Sequence, residues 1–377
     1  MIGTGPYDSL REYLEAIEKH GKLIRIDEID QDAYELTGFM YKLMDKHGWL
    51  GAPAVIVEKV KIDGEWMEGP ILINQYGMSG HEALAIGVPL EDIDWGDHVL
   101  DYSTSVNKMM ERVPIEPIKA IEVDAANAPS KEVILKEDEI DVLSFPFIQT
   151  NPADNGRFIN TGNLITVDPD GVRNVGTYRM QIKGPRKIGI SPEKNQDGWK
   201  AIMAHKENGE THAKVAVVLG TDPIVFAMSS SKTARSGQDE LEIAGGFKGK
   251  PVEVVKCENS DIMVPANVEM IIEGEIPLDD FEEEGPFGEM YGYMGLPHES
   301  TFYMNIKTIT HRKKPMIVNQ FTGVTRGFVT SPGEAASVKG FQKFMPELRG
   351  FHIPIDHVGF LFISIEKTKP HQALEIA

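Results

Sequence analysis

The sequence predicts a mixed α+β fold in three stretches: an α/β domain over residues 1–113, a β-barrel or barrel-like sheet over 114–314, and the start of a further α/β region over 315–377. Three observations carry this expectation. At 377 residues the chain exceeds the ~250–300 that one hydrophobic core usually serves, so more than one domain is expected. Helical and strand-like periods alternate up to Val113, and from Ile115 short β-branched runs take over, punctuated by Gly, Pro, Asp and Asn. After "KKPMIVNQ" the alternating texture returns.

The first element is a helix. Ser9-Leu-Arg-Glu12 is a capping-box pattern, Leu10, Tyr13, Leu14 and Ile17 recur at helical spacing, and Gly21 stops the run. A strand over Leu23–Ile26 follows, then a helix in "YELTGFMYKLMDKHG". The strands "AVIVEKV" and "PILINQ" are separated by the turn pair Asp63-Gly64, and "HEALAIGVP" and "HVLDYSTSVNKMMERV" read as helices. In the middle stretch, "KAIEV", "EVILK", "NLITVDPDGVRNVGTYRMQI", "AKVAVVLG", "PVEVVKC", "VEMIIEGEI" and "TFYMNIKTIT" read as strands, and "DPDG" as a hairpin turn. Helices are expected in "QDGWKAIMAHKENG" and near "DELEIAGGF". Another follows in "SPGEAASVKGFQKF", with a strand in "HVGFLFISI". The final "KTKPHQALEIA" begins a helix without a stop signal, so a C-terminal segment beyond it is expected.

Composition narrows the function classes. With 38 basic and 58 acidic residues the formal charge is −20, which argues against nucleic acid or an anionic membrane as main partner. The single cysteine, Cys257, excludes an internal disulfide framework. No apolar run reaches the length of a membrane span, and a cytoplasmic protein is expected.

One acidic stretch stands apart, "EEEGPFGEMYGYMG" from Glu282 to Gly295. Gly-Pro-Phe-Gly between Glu284 and Glu289 rules against a helix, and a proline-stiffened turn fixes where its flanking side chains point. Phe287, with Met290, Tyr291, Tyr293 and Met294 following, suggests that one side of this loop faces inward. A solvated acidic loop is the competing reading, and it holds for Asp279, Asp280, Glu282 and Glu283. Arg179 alternates with Thr177 and Gln181, which places all three on one face of a strand, although an arginine at a sheet edge in water has the same pattern. Glu258 ends an apolar strand, as either a surface acid or a buried one that needs a cation. "SSSKTARSG" (Ser229–Gly237) and "TGVTRGF" are weak anion-binding signals. His205 and His212 read as ordinary surface histidines. There is no P-loop, dinucleotide fingerprint or paired-cysteine metal motif.

The combination "NVGTYRMQ", "EVVKCENSDIMVPA" and "EGPFGEMYGYMG", in this order and spacing, resembles the UbiD family of reversible decarboxylases, which use prenylated FMN. The likeness runs from the N-terminal helix and "KLIRI" to "HVGFLFISIEKT". It implies a split barrel like that of flavin reductases between an N-terminal α/β domain and a C-terminal α/β oligomerisation region. Family members are about a hundred residues longer at that end.

The resemblance implies a catalytic network of Glu284, Arg179 and Glu289. In it Glu289 delivers a proton after CO₂ leaves, while Arg179, held by Glu284, binds the substrate carboxylate. It places Thr177 and Tyr178 beside the flavin. The family holds the flavin phosphate through a divalent ion, usually Mn²⁺, with K⁺ nearby, on Asn, His and Glu ligands. Asn is matched by Asn174 and Glu by Glu258, whereas the histidine position falls on or next to Lys194. A lysine ammonium cannot ligate a cation, so either the ion is held by fewer protein ligands or Lys194 contacts the phosphate directly, with Lys232 as a second cation; a shift of the count by a few residues through this loop would instead bring Asn195, Gln196 or Asp197 to the histidine's place. Implied partners are a small aromatic or α,β-unsaturated acid, a flavin prenyltransferase that supplies the cofactor, and copies of the chain in a homodimer or homohexamer. A non-catalytic, cofactor-holding subunit of a carboxylase complex and an ordinary FMN reductase are the rival readings.

Overall fold

The computed structural model describes residues 3–289, 292–321, 329–354 and 360–376. Helix α1 (Leu10–Lys19) starts as the capping pattern predicts: Ser9 Oγ accepts from the Glu12 N–H at 3.1 Å and the Glu12 carboxylate accepts from the Asp8 N–H at 2.9 Å. Its Leu10, Tyr13, Leu14 and Ile17 are buried. There follow β1 (Leu23–Asp30), which runs beyond the expected Ile26, then α2 (Glu35–His47), β2 (Ala54–Ile62), β3 (Glu65–Ile73), α3 (Ser79–Ile86) and α4 (His98–Arg112). Asp63 and Gly64, at φ +54° and +84°, supply the two left-handed residues that the β2–β3 turn needs.

The middle stretch contains β4 (Ile121–Glu122), β5 (Val133–Lys136), β6 (Phe158–Val167), β7 (Arg173–Gly184), β8 (Lys187–Ile190), α5 (Asp197–Glu207) and β9 (His212–Leu219). Next come α6 (Pro223–Ser230), α7 (Glu240–Lys248), β10 (Glu253–Lys256), β11 (Met263–Pro265), β12 (Met270–Pro277), β13 (Glu282–Glu284) and β14 (His298–His311). The strands run β12-β9-β6-β7-β8-β14, all antiparallel, and β14 pairs back onto β12, which closes a six-stranded barrel. Alternation sorts its residues: Leu164, Met180, Ile188, Val217 and Ile272 fill the interior, while Ile165, Val175, Val218 and Ile271 face outward onto a core shared with α1, α6 and α7.

Helix α6 escapes a periodicity reading because "PIVFAMSS" is apolar on every side; Asp222, accepting from the N–H groups of Ile224 and Val225 ahead of Pro223, starts it. Strand β15 (Ile317–Asn319) returns to the first stretch and pairs in parallel with β3, giving a sheet of order β1-β2-β3-β15. The chain continues through α8 (Ser331–Phe341), the hairpin β16 (Leu348–His352) and β17 (Phe362–Ile365), and α9 (Gln372–Ile376). No described helix is long and apolar enough to cross a membrane.

Candidate active site

Strand β7 and the turn after β13 build the site. Gly285, at φ +88°, and Pro286 break the strand, and Phe287 then turns inward against Phe158, ring centroids 4.4 Å apart. The loop is fastened from below. Gln181 Oε1 accepts from the Gly285 N–H at 3.2 Å, Asn155 Nδ2 donates to the Gly285 carbonyl at 2.9 Å, and Asp154 Oδ1 accepts from the Gly288 N–H at 2.9 Å. Its far end doubles back, with the Gly295 N–H donating to the Phe287 carbonyl at 2.9 Å. A Cβ at Gly295 would lie 2.4 Å from Glu289 Oε1, so a larger residue there would displace that carboxylate.

This framework brings together the three side chains expected to act together. Arg179 Nε and Nη2 donate to the Glu284 carboxylate at 3.1 and 3.0 Å, and Nη1 donates to Glu289 Oε1 at 2.9 Å. The guanidinium lies 5.5 Å from the Phe287 ring. Burial opposes its charge, yet the carboxylates of Glu284 and Glu289 outweigh burial and hold its pKa above the ordinary arginine value. The two acids differ in access: the Glu284 side chain is 0% exposed and that of Glu289 34%. Glu284 is therefore an internal anchor, and Glu289 is the acid that a ligand can reach. Of the five guanidinium N–H groups, one each on Nε, Nη1 and Nη2 is committed, which leaves two for an incoming carboxylate.

The remaining expected residues divide. Thr177 Oγ1 accepts from Asn163 Nδ2 at 2.8 Å, within a buried network that includes Ser229. The Tyr178 hydroxyl accepts from the Gly198 N–H at 3.3 Å, and its ring fills the space that Gly176 and Gly198 leave free. Asn174 lines a cavity of about 450 Å³ and carries a buried Nδ2 without a partner. Glu258 does not join it: its carboxylate pairs with Lys136 at 3.0 Å and Lys131 at 3.5 Å, and its own N–H donates to Glu273. The carboxylate that the resemblance offered as a metal ligand is thus offset by two lysines. Lys194 is exposed on the loop before α5, and Lys232 is exposed on the loop after α6; neither lines the cavity. His205 is more than a surface histidine, since Nε2 meets the Val167 carbonyl at 2.7 Å and Nδ1 meets Glu210 at 3.0 Å. "TGVTRGF", Met290 and Tyr291 lie outside the described residues.

The acids that line the cavity with Asn174 are Asp168, Asp197, Glu207 and Glu240; Asp197 was an alternative at the histidine position, and Glu240 was missed in the sequence. Glu240 opens α7, and its Oε2 accepts from the Val175 N–H at 2.8 Å, next to Asn174. Burial pushes the Glu240 carboxyl up to about 7 against that hydrogen bond, and Asp239 and Asp197 add to the rise. Asp197 opens α5 and pairs with Lys200 at 2.9 Å. Arg235 and Ser236, from the weak anion signal "SSSKTARSG", line the same cavity. The signal for Glu240 was present as the second acid of "DELEIAGGF", directly after the Asp239 cap at a helix start that follows a Gly- and Ser-containing loop. An oxygen donor set of this kind suits a hard divalent cation, and the unpartnered amide with Arg235 suits a phosphate. No histidine lines the cavity among the described residues.

Residues 121–325 match the family model described as UbiD, the 3-octaprenyl-4-hydroxybenzoate carboxy-lyase Rift-related domain. The phenolic acid decarboxylase of Bacillus subtilis (strain 168) is 30% identical over 329 residues, covering 84% of this chain and 64% of that protein. Among solved structures, an evolved dimeric form of the UbiD-class enzyme HmfF from Pelotomaculum thermopropionicum, in complex with prFMN, superposes with a TM-score of 0.82 at 30% identity, covering 98% of this chain and 81% of that one. The closed form of vanillic acid decarboxylase from Sedimentibacter hydroxybenzoicus gives a TM-score of 0.82 at 26% identity, covering 98% and 76%.

Proposed function

Because this chain belongs to the UbiD family of carboxy-lyases, we propose that it carries out reversible, non-oxidative decarboxylation of an aromatic or α,β-unsaturated acid with prenylated FMN. The observation that carries the proposal is the Arg179–Glu284–Glu289 network, a fixed cation between one buried and one reachable carboxylate. Prenylated FMN, when bound, supplies the electron sink for the breaking carboxylate bond. The two uncommitted N–H groups of Arg179 orient the substrate carboxylate, Glu284 holds the guanidinium in place, and Glu289 returns a proton to the carbon that has lost CO₂.

The cavity at Asn174 is assigned to the flavin phosphate. Asn174 and Arg179 are five positions apart on β7, ~17 Å at ~3.3 Å per residue, a span that an elongated mononucleotide covers. Glu240 and Asp197 with the Asn174 carbonyl would hold a divalent cation against the phosphate, and Arg235 would pair with the phosphate itself. Among the described residues no three histidine, cysteine or acidic side chains form a metal centre by themselves. A cation here therefore depends on Asn174 and on the phosphate. The aromatic acid decarboxylases and the dimeric relative support an aromatic substrate and a homo-oligomer.

The test is co-expression with a flavin prenyltransferase, followed by the absorbance and mass of the bound cofactor and by ¹³CO₂ exchange into a panel of aromatic and unsaturated acids. Stoichiometric prenylated FMN with exchange is the expected result. Unmodified FMN with nicotinamide-dependent reduction would make the chain a reductase, and a loaded protein without exchange into any acid would make it a cofactor-holding subunit.

A further inference from the structure

We infer that Asp154 is a positioning residue for the proton donor: its carboxylate fixes the peptide that carries Glu289 and ties that peptide to helix α2. The inference rests on the role proposed above for Glu289. Asp154 is 5% exposed and forms no ion pair among the described residues. All of its bonds come from neutral donors. Oδ1 accepts from the Gly288 N–H at 2.9 Å, and Oδ2 accepts from Thr150 Oγ1 at 2.8 Å and from the Asn151 N–H at 3.0 Å. Three donors converge on a group that only accepts when ionised, so an amide in its place would turn an NH₂ toward a donor.

The bonds continue away from the site. The Thr150 carbonyl accepts from Thr37 Oγ1 of α2 at 2.8 Å, Thr37 Oγ1 accepts from Gln31 Nε2 at 3.0 Å, and that amide also donates to the Gln149 carbonyl at 2.9 Å. An unbroken path thus runs from α2 through Thr150 and Asp154 to Gly288, the residue before Glu289. Asn155 and Gln181 hold the base of the loop at Gly285 and Pro286. Of the three, Asp154 grips nearest the acid, and it does so by a backbone N–H, which sets the direction in which the next side chain leaves the chain.

The experiment compares wild type with Asp154→Asn and Thr150→Val as full-length proteins. Hydrogen exchange of the peptide spanning Gly288–Gly295 is measured without cofactor, and decarboxylation is measured as a function of pH after loading. In Asp154→Asn we expect exchange in that peptide to quicken about tenfold with other peptides unchanged. We expect kcat to fall roughly 10- to 100-fold, the cost of a displacement of about an ångström at a reacting group, with KM within about twofold. We also expect the limb of the wild-type pH–rate profile that reports the proton donor to move. Thr150→Val should give a smaller change of the same kind, and it decides the matter if Asp154→Asn does not fold. Unchanged loop exchange with an unmoved limb in both variants would overturn the inference, as would faster exchange spread over the whole chain. If wild type is inactive on every acid, the proposed function fails, while the exchange arm still tests the anchor.

Discussion

In the cation-free protein, Glu240→Gln should raise stability at pH 8.5 and leave it nearly unchanged at pH 4. The folded chain holds the Glu240 carboxyl at about 7, against an ordinary value of 4.5. Because the folded value is the higher one, the folded chain keeps a proton between about pH 4.5 and 7 that the unfolded chain has released. Wild-type stability therefore falls through that window, and the full cost is present above it. A rise from 4.5 to about 7, at ~1.4 kcal/mol per tenfold change in proton affinity, sets an upper figure of roughly 3.5 kcal/mol. Glutamine keeps an oxygen for the Val175 N–H and carries no charge, so the variant lacks this slope. The assay is urea unfolding of both proteins at several pH values, with metal chelated, followed by the tryptophan fluorescence to which Trp199 in the cavity wall contributes. Added Mn²⁺ should stabilise wild type and not the variant. A difference between the two proteins that is the same at pH 4 and pH 8.5 would refute the reasoning.

Four further predictions concern the site. Glu289→Gln should abolish turnover with cofactor loading retained, measured by absorbance and CO₂ release, because the amide keeps the shape and loses the transferable proton. Arg179→Ala should lose turnover and also cost ~3–5 kcal/mol in unfolding experiments, since it strands the fully buried Glu284 without its cation; stability equal to wild type would count against an ionised Glu284. Gly295→Ala should fold normally and lose most activity, because the added methyl would occupy the place of Glu289 Oε1. Lys194→Ala should leave cofactor loading unchanged while Glu240→Gln lowers it, and the opposite result would return the phosphate to the lysine.

The grouping of Arg179, Glu284 and Glu289 was legible because local information singled out its members and the resemblance joined them. "EGPFGE" fixes the relation of Glu284 to Glu289 within six residues, and strand alternation fixes the face of Arg179. The cavity at Asn174 was not, because its walls come from separate elements. Asn174 on β7 meets Asp197 at the start of α5 and Glu240 at the start of α7, and the intervening loops hide the register. The resemblance led to Lys194, by a count through "KIGISPEKN", and to Glu258, whose charge Lys131 and Lys136 already offset. Helix α6 lacked a polar face to give it a period, and nothing local in "PMIVN" says that its strand belongs beside β3.

That last pairing sets an order of events during synthesis. Strand β3 offers Ile71, Leu72 and Ile73, none of them exposed in the finished protein, to a partner strand that does not leave the ribosome until Asn319 has been translated. Until then β3 is an apolar sheet edge, and a nascent chain that stalls in the barrel presents it to other chains as a template for pairing. The barrel thus lies between two halves of one sheet, and completing β15 is the step that withdraws this edge from chaperones and from neighbouring polypeptides.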